Sequence, residues 1–94
     1  MNKLPDISSF VDVLTPQNVK FNIVKSFRKI RKQSKISQVK LSELSGVSLG
    51  SIKRFENTGD ISLNSLLKIS DSLNRLWEFD NLFTTPVIKS AYEN

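Results

Sequence analysis

The residues best placed to do chemistry in this sequence are cations. Ten lysines and arginines fall between Lys20 and Arg54, with Glu43 as the single acid among them. The flanks lean the other way: residues 1–19 carry two acids against one base, and residues 55–94 carry six acids against three bases. A net charge of +5 is therefore gathered in one stretch, which lets the chain turn a basic face to a polyanion and keep another face neutral or acidic. A solvated lysine-rich surface would give the same count, so charge alone does not decide. Within the stretch, Lys25, Arg28, Lys29 and Lys32 share one side of a helical wheel. Such a face repels itself until phosphates or solvent relieve it.

Other chemistry is poorly provided for. The sequence has no cysteine and no histidine, so it offers no disulfide, no thiolate or imidazole metal site, and no Cys-His or Ser-His pair for nucleophilic catalysis. The acids are scattered, with no base beside them. Neither an enzyme nor a cofactor or metal requirement is expected. No apolar run approaches the roughly 18 residues of a membrane span, and the N-terminus lacks a charged-then-apolar signal pattern. The expectation is a cytoplasmic protein with no membrane partner.

The elements that must position the cations read as helices. Apolar residues at 38% and charged residues at 24% describe an ordinary globular chain, and 94 residues support one modest core. Thr15 is an N-cap candidate before Pro16, and Val19, Ile23, Phe27 and Ile30 then recur as one buried stripe of a first helix. Ser37 caps a short second helix with Leu41 and Leu44 as its apolar positions, and Gly46 ends it. Glycine takes positive φ without steric cost, so the chain can turn sharply there. Val47 follows as a buried plug, and Ser48 caps a third helix running through Ile52 and Phe55 to about Asn57, closed by Gly59. Ser62 caps a fourth, whose broad apolar face comprises Leu63, Leu66, Leu67, Ile69, Ser70 and Leu73. A fifth covers roughly Leu76 to Phe83, with Leu76, Phe79 and Phe83 facing the core. Apart from the short run Phe10 to Val13, no segment alternates as a strand should. The predicted fold is all-α, with five helices spanning 16–84, an N-terminal appendage at 1–15 and a tail at 85–94. The core is expected to hold Ile23, Phe27, Leu41, Val47, Ile52, Phe55, Leu66 and Leu73.

Helix, glycine turn, helix at this spacing is a helix-turn-helix unit, whose second helix enters the major groove with its N-terminal residues against base edges. Gln38, Leu41, Gly46-Val47-Ser48, Ile52, Phe55-Glu56, Gly59, Ser62-Leu63 and Leu66-Leu67 together resemble the Xre family of phage-repressor-like transcriptional regulators, from about Ile23 to Phe83. The resemblance implies that Gln38 and Ser48 bind backbone phosphate, with Ser51 expected to meet one too; Arg28, on the basic face of the first helix, is a further phosphate candidate from its position alone. It places Leu49, Gly50, Lys53 and Arg54 at the base edges. Arg54 is the strongest candidate for direct readout, because its fork can donate two parallel hydrogen bonds to guanine O6 and N7, worth about 1–3 kcal/mol of discrimination. Leu49 and Gly50 depart from the polar residues often found at their positions, so a thymine methyl contact or close backbone approach must replace hydrogen bonds, and DNA shape must supply more of the specificity. The resemblance also pairs Arg31 with Glu56, an ion pair that would fix the recognition helix and orient Arg31 towards a phosphate.

One such unit reads too few base pairs for useful selectivity. The expectation is a homodimer on an inverted-repeat operator in double-stranded DNA, its half-sites about 34–36 Å apart. Trp77 is a candidate interface anchor, as are Phe10 and Val11 in an amphipathic N-terminal segment with Ile7 and Leu14. The ending from Leu76 to Asn94 resembles the tails of HipB-like antitoxins, which are encoded beside a HipA-like kinase toxin. That implies an autoregulating repressor whose tail, through Val87, Ile88 and Tyr92, docks the toxin. The competing reading from another class is a protein-interaction module that has lost specific DNA binding.

Overall fold

The computed structural model describes residues 14–87. Phe10, Val11, Ile7, Ile88, Tyr92 and the alternating run Phe10 to Val13 lie outside the described residues. Within them the chain forms five helices and no strand: α1 (Pro16–Gln33), α2 (Gln38–Ser45), α3 (Leu49–Thr58), α4 (Leu63–Ser72) and α5 (Trp77–Asp80).

Serine and threonine caps set the starts of the first four helices. The side-chain oxygens of Thr15, Ser37, Ser48 and Ser62 accept from the backbone N–H of Asn18, Lys40, Ser51 and Ser65, at 3.0–3.1 Å. Each satisfies an amide that has no partner in the first turn. Gly46 and Gly59 end α2 and α3 at φ +77° and +82°, and their N–H groups donate back to Ser42 O and Phe55 O. The turn between α2 and α3 is fastened twice more. The Ser42 hydroxyl donates to Val47 O at 2.6 Å, and Val47 N donates to Ser45 Oγ at 3.1 Å.

The core lies where α1, α2, α3 and α4 converge. Val24, Leu41, Val47, Ile52, Phe55, Ile69 and Leu73 are buried, with Phe27, Ile30, Ile36, Ile61 and Leu66 packed against them. Burial of a side chain such as Leu41 or Phe55 contributes about 1.5–3 kcal/mol relative to exposure. The Phe27 ring meets Phe55 edge to face, centroids 5.3 Å apart, which ties α1 to α3.

Three expectations need correction. Ile23 is 45% exposed, and its neighbour Val24 is buried in its place. The core-facing line of α1 runs Val24, Phe27, Arg31, and Val19, Ile23 and Ile30 line a groove beside it. Leu44 and Leu63, expected on apolar faces of α2 and α4, are exposed. The fifth helix is four residues long rather than eight: Leu76 and Phe83 are exposed, Phe83 at 97% and with φ +64°. Polar side chains beyond Asp80 compete for the carbonyls that a longer helix would use. Asn81 Nδ2 donates to Trp77 O at 3.4 Å, and Thr84 Oγ1 donates to Asn81 O at 2.8 Å.

Candidate nucleic-acid interface

α3 has one face sunk in the core and the other open. Ile52, Phe55 and Glu56 are buried, whereas Gly50, Ser51, Lys53 and Arg54 are exposed and Leu49 is half-buried. The split follows from helical spacing, since 52, 55 and 56 share one side of a 3.6-residue turn and 50, 53 and 54 share the other. The Arg54 side chain is 71% exposed. A Cβ built on Gly50 would meet nothing within 4 Å, so no packing demands glycine there; its absence of a side chain leaves the first turn of α3 open to close approach from outside. At the same end, the Ser48 hydroxyl accepts from Ser51 N and donates to Ser51 Oγ at 2.9 Å.

What aims α3 is a buried carboxylate. Glu56 is almost wholly enclosed, and charge so placed must be paired and hydrogen-bonded. Arg31 grips it with two parallel bonds, Nε to Oε2 at 2.7 Å and Nη2 to Oε1 at 2.9 Å, the short bidentate geometry of a strong charge-assisted pair. The expected Arg31–Glu56 ion pair is thus formed. A third nitrogen, Nη1, donates to Ile36 O at 2.9 Å, so the same guanidinium also holds the loop leading into α2. Arg28 Nε stands 3.4 Å from Oε1, and Gln38 Nε2 donates to Oε1 at 3.0 Å.

Through Glu56, the ends of α1, α2 and α3 are one network. Gln38 and Arg28, expected only at the phosphates, are members of it, and their spacing from Glu56 in sequence gave no local sign of that. Arg31 is turned inwards, its side chain only 9% exposed. Arg28 is 46% exposed and keeps an outward side, as do Lys25, Lys29 and Lys32.

A second carboxylate, Asp60, closes the far end of α3. Lys20 Nζ lies 3.1 Å from its Oδ1 and Arg54 Nη2 lies 4.0 Å from its Oδ2. The hydrogen bond and charge of Lys20 hold the Asp60 carboxyl below the usual carboxylate range. Neither partner was anticipated for it.

Two further surfaces lie away from α3. An open groove of about 400 Å³ runs between α1 and the α4–α5 region, walled by Val19, Ile23, Phe27, Leu66, Phe79 and Leu82. Trp77, the candidate interface anchor, is 60% exposed. No helix among the described residues is long and apolar enough to cross a membrane.

A helix-turn-helix family model matches residues 27–76, from the middle of α1 through α4. No curated protein and no solved structure matches the chain. The match spans the turn, both helices around it and the Arg31–Glu56 pair that braces them, and it covers more than half of the sequence; the chain belongs to the Xre-like helix-turn-helix family of DNA-binding transcriptional regulators.

Proposed function

We propose that the protein is a dimeric, sequence-specific repressor that inserts α3 into the major groove of an inverted-repeat operator. The observation that carries this reading is the two-sided build of α3: a buried Glu56 fastened to α1 and α2, and, on the opposite side, exposed Lys53 and Arg54 with no packing duty. A helix fixed to its scaffold but bare outside is suited to reading a surface, because little ordering is left to do on binding.

In this reading Arg54 and Lys53 contact base edges, and Leu49 and Gly50 allow a methyl contact and close approach. Ser48, Ser51 and Arg28 meet phosphates. Gln38 spends one amide N–H on Glu56 and keeps the second for a phosphate. Arg31, with its Nε, Nη1 and Nη2 all donating inwards, contributes as a strut, and the phosphate role on α1 passes to Arg28. Occupying the operator is sufficient for repression.

The dimer is supported by the apolar groove, which Leu82 helps to wall, and by the exposure of Leu76 and Trp77. A second copy would cover these residues and bring two α3 helices to successive turns of the duplex. The antitoxin role is a narrower version of the same function. Of the tail residues that would dock a HipA-like kinase, Val87 is described and is exposed, so a contact there is accessible. A HipA-like kinase bound by the wild-type chain and lost on Val87→Asp would support it.

The experiment for the main reading is selection of duplexes from a random pool, with sedimentation of the free protein. An enriched inverted repeat and a dimer that dissociates on Trp77→Ala are expected. Salt-sensitive binding with no enriched sequence would instead favour a module that has lost specific DNA binding.

A further inference from the structure

Asp60 places a negative charge beside the arginine that the reading above turns towards a polyanion. Repulsion from phosphates makes that an expensive position for an acid, and nothing about its burial requires one: the side chain is half exposed. Yet the carboxylate is held with care. Lys20 comes from α1, 40 positions earlier, and the stem of Lys20 lies flat across Gly59, so close that a Cβ there would stand 2.5 Å from Lys20 Cγ. Gly59 thereby opens the path that lets the ammonium reach Oδ1. The backbone N–H of Asp60 donates to Thr58 Oγ1 at 3.1 Å, and that hydroxyl donates to Arg54 O at 2.7 Å. Asp60 is therefore tied to the same turn of α3 that carries Arg54, and its free oxygen Oδ2 faces the Arg54 guanidinium.

An exposed pair at 4.0 Å adds little to stability. What it biases, through charge alone, is direction. At that distance Nη2 is not hydrogen-bonded to Oδ2, so both forks of Arg54, Nε with Nη2 and Nη1 with Nη2, keep their N–H groups for a base edge. Arg54 and Asp60 also share the wall of an open recess with Ser51, Ser62 and Ser65. A phosphate met by Ser51 at the edge of that recess would also draw a free arginine, and the carboxylate opposes that second contact.

We propose that Asp60 is a positioning residue for base readout: anchored by Lys20, it orients the Arg54 fork towards a base edge and keeps that fork from settling on a phosphate. The proposal rests on the reading of Arg54 as a base contact. It implies an exchange, in which Asp60 lowers affinity for DNA in general and raises the preference for the correct sequence.

The test uses the full chain, the duplex enriched from a random pool, and a scrambled duplex of the same length, at two salt concentrations. Asp60→Asn is expected to bind the scrambled duplex more tightly, with the salt dependence steeper by about one counterion. The ratio of enriched to scrambled affinity is expected to fall by roughly fivefold to tenfold, within what a bidentate arginine–guanine contact is worth. Asp60→Glu keeps the charge and moves it by one methylene, so the ratio should fall there too while the net charge stays unchanged. In an Arg54→Ala background, Asp60→Asn should leave the ratio alone. An equal change for both duplexes, the same fall of the ratio without Arg54, or no change at all would overturn the proposal. If Arg54→Ala collapses the ratio and Asp60→Asn does not, readout by Arg54 stands and the role of Asp60 fails by itself. If Arg54→Ala leaves the ratio intact, the readout reading fails first and carries the role of Asp60 with it.

Discussion

Glu56 lies in the last turn of α3 and Asp60 just past its end, and each gathers two cations. Glu56 takes Arg31 and Arg28 from α1, with Gln38 from α2 as a further donor. Asp60 takes Lys20 from α1 and Arg54 from α3 itself. The chemistry is the same and the surroundings are opposite, since Glu56 is buried and Asp60 open to water. Burial decides what such a pair does. An enclosed carboxylate with one partner removed leaves an unpaired charge in the core, so the Glu56 network is a condition of the fold. An exposed one is screened by water and salt, so the Asp60 pair has little hold on stability and is free to adjust how Arg54 is presented.

The largest effect should come from the buried centre. Glu56→Ala leaves the buried Arg31 guanidinium without its carboxylate and is expected to destabilise the fold by about 3–5 kcal/mol, read as a fall in the midpoint of urea unfolding. If it cost no more than an exposed substitution, the contrast between the two carboxylates would be lost.

The two turn glycines sharpen the comparison. Gly46 and Gly59 both adopt left-handed φ, so alanine at either should cost on the order of 1–2 kcal/mol of backbone strain. Only at Gly59 does the new Cβ also strike the Lys20 stem. Gly59→Ala is therefore expected to lose more stability than Gly46→Ala and to weaken the Lys20–Asp60 pair. In a Lys20→Ala background, thermal melts should show the difference between the two glycines shrinking.

The smallest effect is the pH dependence of the exposed pair. Its partners lower the carboxyl pKa of folded Asp60, so the pair's contribution is present above the ordinary carboxylate range near pH 4 and is lost as pH falls through the lowered value. The stability difference between wild type and Asp60→Asn should accordingly be small at neutral pH and disappear at acid pH. A difference that grew on acidification would contradict the assignment.

The sequence disclosed whatever was local. The caps at Thr15, Ser37, Ser48 and Ser62 and the breaks at Gly46 and Gly59 act within four residues, so helix boundaries could be read directly, and the family resemblance supplied the Arg31–Glu56 pair. Two kinds of feature escaped. The first was the choice of face on α1. That helix is apolar on two sides, one towards the core and one along the groove, and spacings of three and four fit either, so the pattern points to Ile23 although its neighbour Val24 is the buried residue. The second was contact at long range. Gln38 with Glu56 and Lys20 with Asp60 are joined only by the packing of whole helices, which residue spacing does not encode. The shortening of α5 is an intermediate case: Leu76, Phe79 and Phe83 have helical period, but Asn81 and Thr84 take the carbonyls first.

In the proposed complex the outer side of α3 meets DNA while the Glu56 network holds it from within. This can be tested by following the backbone amide resonances of the labelled chain as the enriched duplex is added. The largest changes are expected at Ser48 to Arg54, with Gln38 and the exposed side of α1 around Arg28 following. Changes confined to the groove lined by Ile23 and Leu82, with Ser48 to Arg54 undisturbed, would contradict it.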